Sequence, residues 1–439
     1  MPAPAGAPVL VVGAGIGGLV ITRDLARAGI PVTLLEASDR VGGQLAPLRI
    51  DGVEADAAAE SFATRDGTVA ALAAEIGLGG DVVAPRDTPA WVIGPGGAAH
   101  PLPAASVLGI PGDPSAPDVV RAIGRRASLR AAIDRWVPLR APEDYRSISD
   151  LVRRRMGERV LAELVAPVVR GVYSTSPDEL AVALASPGLP AALRNARSLG
   201  EAVLSLRAAS AAGSQVAGMR GGVHRIATTL AADAVAAGAR IRLGSRVTAA
   251  GHDGVTLVGG ERLAGRVVIA ASDAQGAASR TRSITVAIAS LDAPQLDAAP
   301  RGTGALVTRG APGITARAFT HSSAKWEWVA DLLPAGRHLV RLSYDEVPGD
   351  PEATVAADLR AVTGAEIGGL RDLQVRTWTR TLEVAPPPSG VEAAGEAASL
   401  TGLAAIVADA RASAARIAET VREDPRTRAD QPDRTEGRA

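Results

Sequence analysis

The chain contains no cysteine. A disulfide framework, a thiolate metal site and a redox dithiol are therefore excluded, and redox chemistry would need a bound cofactor. Aromatic residues make up only 2% of the chain, so Ala, Val, Leu and Ile must fill the core. Lysine is also scarce: Lys325 is the only one, and almost all positive charge is arginine. This Ala-, Gly- and Arg-rich composition reads as the codon bias of a high-GC genome, so arginine runs carry little weight. Arg153, Arg154 and Arg155 are expected on a solvated helix face. Neither sign of charge is in surplus, with 47 Lys and Arg against 47 Asp and Glu. A nucleic-acid partner would show as a basic excess or stripe. No apolar run reaches about 18 residues, so no membrane-spanning helix is expected. No basic segment precedes an apolar run near the start, so no signal peptide is visible and the expected location is the cytoplasm.

What is present is length and a strong opening pattern. The 439 residues, 47% of them hydrophobic, suggest two or three globular domains. Residues 8–12 read as a short buried strand, 13–18 as a glycine-rich turn, 19–28 as a helix stopped by Gly29, and 31–36 as a second strand. Parallel strands joined by a helix imply an α/β domain. Further helices are expected over 66–76, across most of 118–200 with 149–165 the clearest stretch, over 223–237 and over 401–419. Strands are expected within 241–258, 267–271, 283–291, 316–320 and 338–343. The five histidines form no metal-binding pattern, and His224 is expected on a helix surface.

Gly13-Ala14-Gly15-Ile16-Gly17-Gly18 satisfies the G-x-G-x-x-G pattern. Gly13 permits the tight turn, Gly15 lets the backbone approach a pyrophosphate, and Gly18 lets the helix pack closely on the strand. The helix N-terminus then offers free N–H groups and a partial positive charge to the phosphates. Glu36 closes the second strand, where a carboxylate accepts both ribose hydroxyls and repels a 2′-phosphate. The fingerprint by itself leaves NAD and FAD open. The next segment, Glu36-Ala37-Ser38-Asp39-Arg40-Val41-Gly42-Gly43-Gln44, adds a second glycine pair that suits an extended FAD.

That segment resembles the E-A-x-x-R-x-G-G stretch of the flavin amine oxidase superfamily. Later motifs resemble one branch of it, the protoporphyrinogen/coproporphyrinogen III oxidases of haem synthesis, in their actinobacterial form. They are Pro167 to Tyr173 followed by Ser176 to Leu180, Met219 to Val223, His321 to Trp326, and Gly402 to Ala404 leading into Ala408 to Arg411. The resemblance implies a Rossmann-type FAD-binding domain, a mixed-sheet substrate domain and a helical insertion. The FAD-binding domain would comprise residues 1–80, 211–280 and 376–421, the substrate domain 81–115 and 281–375, and the helical insertion 116–210, with a disordered tail over 422–439.

Carried over by position, the resemblance puts Gly13, Ala14, Gly15, Ile16, Gly17 and Gly18 at the pyrophosphate, with Glu36 and Ala37 toward ribose and adenine. Arg40, Gly42, Gly43 and Gln44 would follow the FAD chain, and Glu60 and Ser61 would occupy the family's G-P-x-S loop. Val247 would lie beside adenine, and Gly395, Gly402, Leu403 and Ala404 would bring a helix N-terminus to the flavin ring. The implied reaction takes coproporphyrinogen III, or protoporphyrinogen IX, to the porphyrin by successive hydride transfers to flavin, with dioxygen as acceptor. Arg170 and Arg317 are candidates for the propionates, and Lys325 is a weak candidate for a catalytic position near the flavin. The stretch from Trp378 to Gly402 is shorter than in the family. Two other readings stand beside this one: a different flavin amine oxidase-like oxidase or desaturase, and a divergent FAD-binding paralogue without catalysis.

Overall fold

A computed structural model describes residues 7–64, 67–173, 175–209, 216–271, 280–398 and 402–423. Most of the expected charged tail lies outside the described residues. The last helix, Leu403–Glu423, runs two residues into it.

The opening strand Val9–Val12 is buried at all four positions, as β-branched residues covered on both faces should be. It is central in a five-stranded parallel sheet. The order is Arg240–Arg242, Val32–Leu35, Val9–Val12, Arg266–Ile269 and Glu392–Ala393. Three distant parts of the chain thus build one sheet. Helices Ile16–Arg27, Arg225–Ala236 and Leu403–Glu423 cover one face through Leu19, Leu25, Leu230, Val407 and Ile417. The antiparallel meander Val247–Gly251, Gly254–Leu257 and Arg262–Ala264 covers the other, against Leu10, Val12 and Ile269. The shortened stretch after Trp378 still delivers a strand, Glu392–Ala393, which pairs with Val268 and Ile269 before the last helix.

A second, seven-stranded sheet holds Asp372–Glu383, Arg280–Asp292, Arg337–Tyr344, Ala318–His321, Gly304–Val307, Trp91–Ile93 and Ala99–Pro101, in that order. Only the pairing of Gly304–Val307 with Trp91–Ile93 is parallel. Ala287, Ala289, Val340 and Leu342 face helix Pro351–Thr363, while Ile288 and Leu339 on the opposite face pack with Trp326. This is the period-two alternation of a sheet with two different faces.

Helices between Pro117 and Ala209 form a third core around Ile148, Leu151, Val152, Leu164 and Leu199. The clearest helical stretch is not one helix. Ile148–Met156 ends at Gly157, whose φ of 94° favours glycine. Arg155 corrects the expectation of a solvated arginine face. It lies on the same face as Ile148, Leu151 and Val152, at helical spacing, and is buried. Its Nε donates to Asp134 at 2.6 Å and its Nη1 to the Pro138 carbonyl at 2.9 Å. Three consecutive arginines span too wide an arc for all to face water.

Candidate functional site

The glycine-rich turn sits at the carboxyl end of the central strand, where open α/β sheets bind ligands. Three of the four glycines there have a separate steric reason. Gly13 has φ of 100°, and an added Cβ would lie 2.5 Å from the Ala271 Cβ. A Cβ on Gly18 would lie 1.9 Å from the Gly13 carbonyl oxygen, so the helix meets the turn backbone to backbone. A Cβ on Gly17 would lie 3.2 Å from Ile406 of the last helix. Gly15 differs from these three. Its φ of −67° and ψ of 176° suit any residue, and a Cβ there would touch no atom of the described residues within 4 Å. The protein itself does not require glycine at Gly15, so the requirement points outward, to a group lying against the backbone. Ile16 opens the helix behind it.

Glu36 holds this turn. Its Oε2 accepts the Ala14 N–H at 2.7 Å, and its Oε1 accepts both the N–H and the hydroxyl of Ser38 at 2.8 Å. Ala37 follows, half-buried. The second glycine pair closes directly on the first loop. Gly42 pairs with Gly15 and donates its N–H to the Ala14 carbonyl at 2.8 Å. A Cβ on Gly43 would lie 3.3 Å from the Gly15 Cα. Arg40 donates to the Gly43 carbonyl at 2.8 Å and so braces this loop. Gln44 reaches Glu396 at 3.2 Å, which ties the loop to the segment before the last helix. Gly395 donates its N–H to Asp409 at 2.8 Å, and its missing Cβ leaves room for Ile406 and Gly17. Gly402 precedes the 21-residue helix that begins Leu403-Ala404. The neighbouring residues 399–401 lie outside the described residues. Val247 begins the meander two residues after Ser245, whose N–H donates to the Glu36 carbonyl at 2.7 Å.

Glu60 and Lys325 meet each other. Lys325 Nζ donates to Glu60 Oε1 at 2.9 Å, the Ser322 hydroxyl donates to Oε2 at 2.9 Å, and Arg341 Nε stands 3.8 Å away. Burial pushes the Glu60 carboxyl up, but Lys325, Arg341 and the Ser322 hydroxyl outweigh it and hold the group down at about 2. Arg341 also donates to the carbonyls of Asp56 and Ala58. Two cations of the second-sheet unit therefore grip the loop that follows strand Val53–Asp56. Ser61 is half-buried beside them. Lys325 is mostly buried, next to the buried Trp326.

His224 is corrected as well. It is buried just before helix Arg225–Ala236, with Nδ1 2.8 Å from Asp56 and Nε2 3.0 Å from Glu54. Asp56 also accepts the N–H groups of Val223 and His224 at 2.9 Å. Sequence reasoning missed Asp56, Arg341 and the pair His321–His338, whose ring nitrogens lie 2.9 Å apart. The Gly221-Gly222 turn was the available signal for the first. Nothing in the local sequence marks the others.

Burial, and then His338, push His321 down to about 3. A histidine depressed from 6.5 stays neutral in the fold while the unfolded chain takes up its proton. Its contribution to stability is thus complete above about pH 6.5 and falls with pH toward 3, by up to ~1.4 kcal/mol per unit. His224, raised by Asp56 and Glu54 against the effect of burial, acts in the opposite sense. His321→Gln is expected to lose clearly less Tm than the wild type between about pH 7 and about pH 5. Equal losses in thermal melts would refute this.

Arg170 and Arg317 lie 147 positions apart, and the structure brings them into one cluster. Helix Ala166–Tyr173 packs on strand Gly304–Val307, where Leu306 fills the space over Gly171. Arg317 donates to the Tyr344 carbonyl at 2.8 Å, and its Nη1 lies 3.5 Å from Asp345. Its Nε and Nη1 are buried and find no hydrogen-bond partner among the described residues. Arg282 pairs with the same carboxylate at 2.7 Å. Burial lowers the pKa of Arg170, and Arg309 and Arg282 lower it further by repulsion; burial lowers Arg317. Arg282 and Arg317 thus meet Asp345 directly, and Arg170 and Arg309 stand near enough to feel its charge.

A family profile described as flavin containing amine oxidoreductase matches residues 16–304, from the first helix into the second sheet. The chain belongs to that family. This flavoprotein is 30% identical over 399 residues to a protein named coproporphyrinogen III oxidase from Mycobacterium tuberculosis, covering 85% of this chain and 86% of that one. It is 32% identical over 368 residues to the protein of the same name from Mycobacterium leprae, covering 79% of each. A crystal structure from Exiguobacterium sp. 255-15 shares the fold with a TM-score of 0.78 at 23% identity, covering 94% of this chain and 99% of that one. The cofactor is FAD, and the open face of Gly15 fits it. The protein is an FAD-dependent oxidoreductase.

Proposed function

We propose that this flavoprotein oxidises coproporphyrinogen III to coproporphyrin III in the cytoplasm, with dioxygen as the terminal acceptor. The observation that carries the substrate class is a cluster of four arginines with one acid: Arg282 and Arg317 contact Asp345, and Arg170 and Arg309 lie within its electrostatic reach. Among the described residues, the Arg317 guanidinium is kept from water with two nitrogens unbonded, which is costly, and an incoming carboxylate offsets that cost. A tetracarboxylate uses such a cluster better than a dicarboxylate. A cationic amine would be repelled, which disfavours the amine oxidase reading.

Aromatisation removes six electrons in three two-electron steps, and FAD, when bound, supplies the acceptor for each. The chain's own residues bind and orient. Gly13 to Gly18 and Glu36 would hold the dinucleotide, with Gly42, Gly43 and Gln44 along its length. The N-terminus of Leu403–Glu423 would turn its positive end toward the flavin ring. Arg170 and Arg317 would anchor propionates and so fix which carbon faces the cofactor. Lys325 and Arg341 would keep the loop around Glu60 in place rather than take part in chemistry.

The test is coproporphyrinogen III added in air to the FAD-loaded protein, with porphyrin fluorescence followed. Fluorescence rising faster than in the enzyme-free control, with peroxide formed, is the expected result. A bound flavin without turnover would overturn the substrate assignment and favour the paralogue. Turnover of a primary amine instead would favour the other oxidase reading.

A further inference from the structure

One acid, Asp345, stands among the arginines of the proposed substrate site. Its Oδ1 lies 2.7 Å from Arg282 Nη2 and 3.5 Å from Arg317 Nη1. Burial pushes its carboxyl up, but the Arg282 hydrogen bond and the charges of Arg317, Arg282 and Arg309 outweigh this and hold it below the usual carboxylate range. The four arginines come from separate parts of the chain. Arg170 lies on helix Ala166–Tyr173 and Arg282 on strand Arg280–Asp292. Arg309 follows strand Gly304–Val307, and Arg317 precedes strand Ala318–His321. Four positive charges against one negative leave three in excess. Asp178 also acts on Arg170, but its ion pair is with Arg153, at 3.8 Å.

Asp345 makes the bonds that an incoming carboxylate would make. The acids that fasten this fold are placed differently: Asp56, Asp134 and Asp358 are buried and accept backbone N–H groups. The Asp345 side chain is 60% exposed, and among the described residues its carboxylate meets only guanidiniums. Tyr344 is the last paired residue of strand Arg337–Tyr344, and residues 345–350 run on to helix Pro351–Thr363. Asp345 can therefore swing off the cluster without breaking a strand pairing or leaving a buried N–H unmatched.

We infer that Asp345 is a specificity-determining residue, an internal carboxylate that fills the arginine cluster of the free protein and is displaced by a substrate propionate. The inference rests on the assignment of that cluster to substrate carboxylates. Two carboxylates on the same guanidiniums repel each other, so the incoming acid must drive Asp345 out. Every ligand thus competes with a group that the chain itself holds at high effective concentration. A single carboxylate gains little, because it replaces one ion pair by an equivalent one. A molecule with several propionates gains the remaining guanidiniums as well. Asp345 therefore filters for polycarboxylates, and until one binds it offsets the mutual repulsion of the arginines.

The test compares Asp345→Asn and Asp345→Glu with the wild type in the full FAD-loaded chain. Asp345→Asn should lower KM for coproporphyrinogen III by at least roughly 5-fold while kcat changes less than about twofold. The dissociation constant of coproporphyrin III, read from its fluorescence, should fall in parallel. The tetramethyl ester should show no such gain, and Asp345→Glu should keep the wild-type KM. Propionate ion added as a competitor should inhibit Asp345→Asn at concentrations that leave the wild type unaffected. Tm of Asp345→Asn should fall, because the arginines then repel one another with no acid among them. Tighter binding with lower stability is not what loss of a merely structural acid would give. An unchanged or raised KM for the tetracarboxylate in Asp345→Asn would overturn the inference. So would an equal gain for the ester, or equal inhibition of both proteins by propionate. Arg317→Leu, measured alongside, separates this from failure of the site itself. If Arg317→Leu raises KM and Asp345→Asn leaves it unchanged, only the role of Asp345 falls. If neither changes it, the cluster does not hold the substrate and both readings fall.

Discussion

Gly15→Ala is expected to yield a folded protein that no longer retains FAD. The backbone at this position suits alanine, and the new methyl would meet no atom of the described residues within 4 Å. The folded state therefore loses nothing, and Tm of the flavin-free protein should stay within a few degrees of the wild-type apoprotein. The methyl instead occupies the space where the pyrophosphate would approach the turn. FAD affinity should fall by more than about 100-fold, equivalent to ~3 kcal/mol. Gly18→Ala is the contrasting control. Its Cβ would sit 1.9 Å from the Gly13 oxygen, so it should destabilise the fold itself. Titration of each apoprotein with FAD, read by flavin fluorescence, separates the two outcomes. If Gly15→Ala binds FAD as the wild type does, the pyrophosphate does not lie at this turn.

Arg317→Leu is expected to raise KM for coproporphyrinogen III by roughly 10- to 100-fold while kcat changes little. A charge-assisted hydrogen bond to a carboxylate is worth about 1.5–3 kcal/mol, and each ~1.4 kcal/mol is tenfold. The same substitution should raise Tm. In the free protein the Arg317 Nε and Nη1 are buried and find no hydrogen-bond partner among the described residues, and leucine removes that cost. Loss of substrate binding with gain of stability is the mark of a group kept for its ligand. Arg170→Ala should raise KM in the same way. The tetramethyl ester of the substrate provides the check, because a neutral ester should be turned over alike by wild type and both variants. Unchanged KM for the tetracarboxylate would remove the cluster from the substrate site and leave FAD binding untouched.

How much of this was legible before the fold was known depended on the range of each interaction. The opening βαβ unit and its glycines could be read because strand, turn and helix follow one another within thirty residues, and each glycine answers a local backbone demand. The last helix and the long second-sheet strands also carry their own periodicity. Ile148–Met156 shows where local reading falters: the apolar period continues past Gly157, while the left-handed backbone there ends the helix. Arg155 and His224 were misplaced for another reason. Each is polar and looks solvated by type, but each is buried against a carboxylate that lies 21 and 168 residues away.

The sequence by itself determined the dinucleotide turn, the carboxylate at the end of the second strand and the family to which the chain belongs. These rest on short-range geometry and on residue types that few alternatives can replace. Only the tertiary structure decided that Glu60 and Lys325 neutralise each other across 265 positions, and that Arg170 and Arg317 lie within reach of one acid. Charge pairing and exposure depend on which surfaces the packed cores bring together, and sequence spacing does not encode that when the partners come from separate folding units.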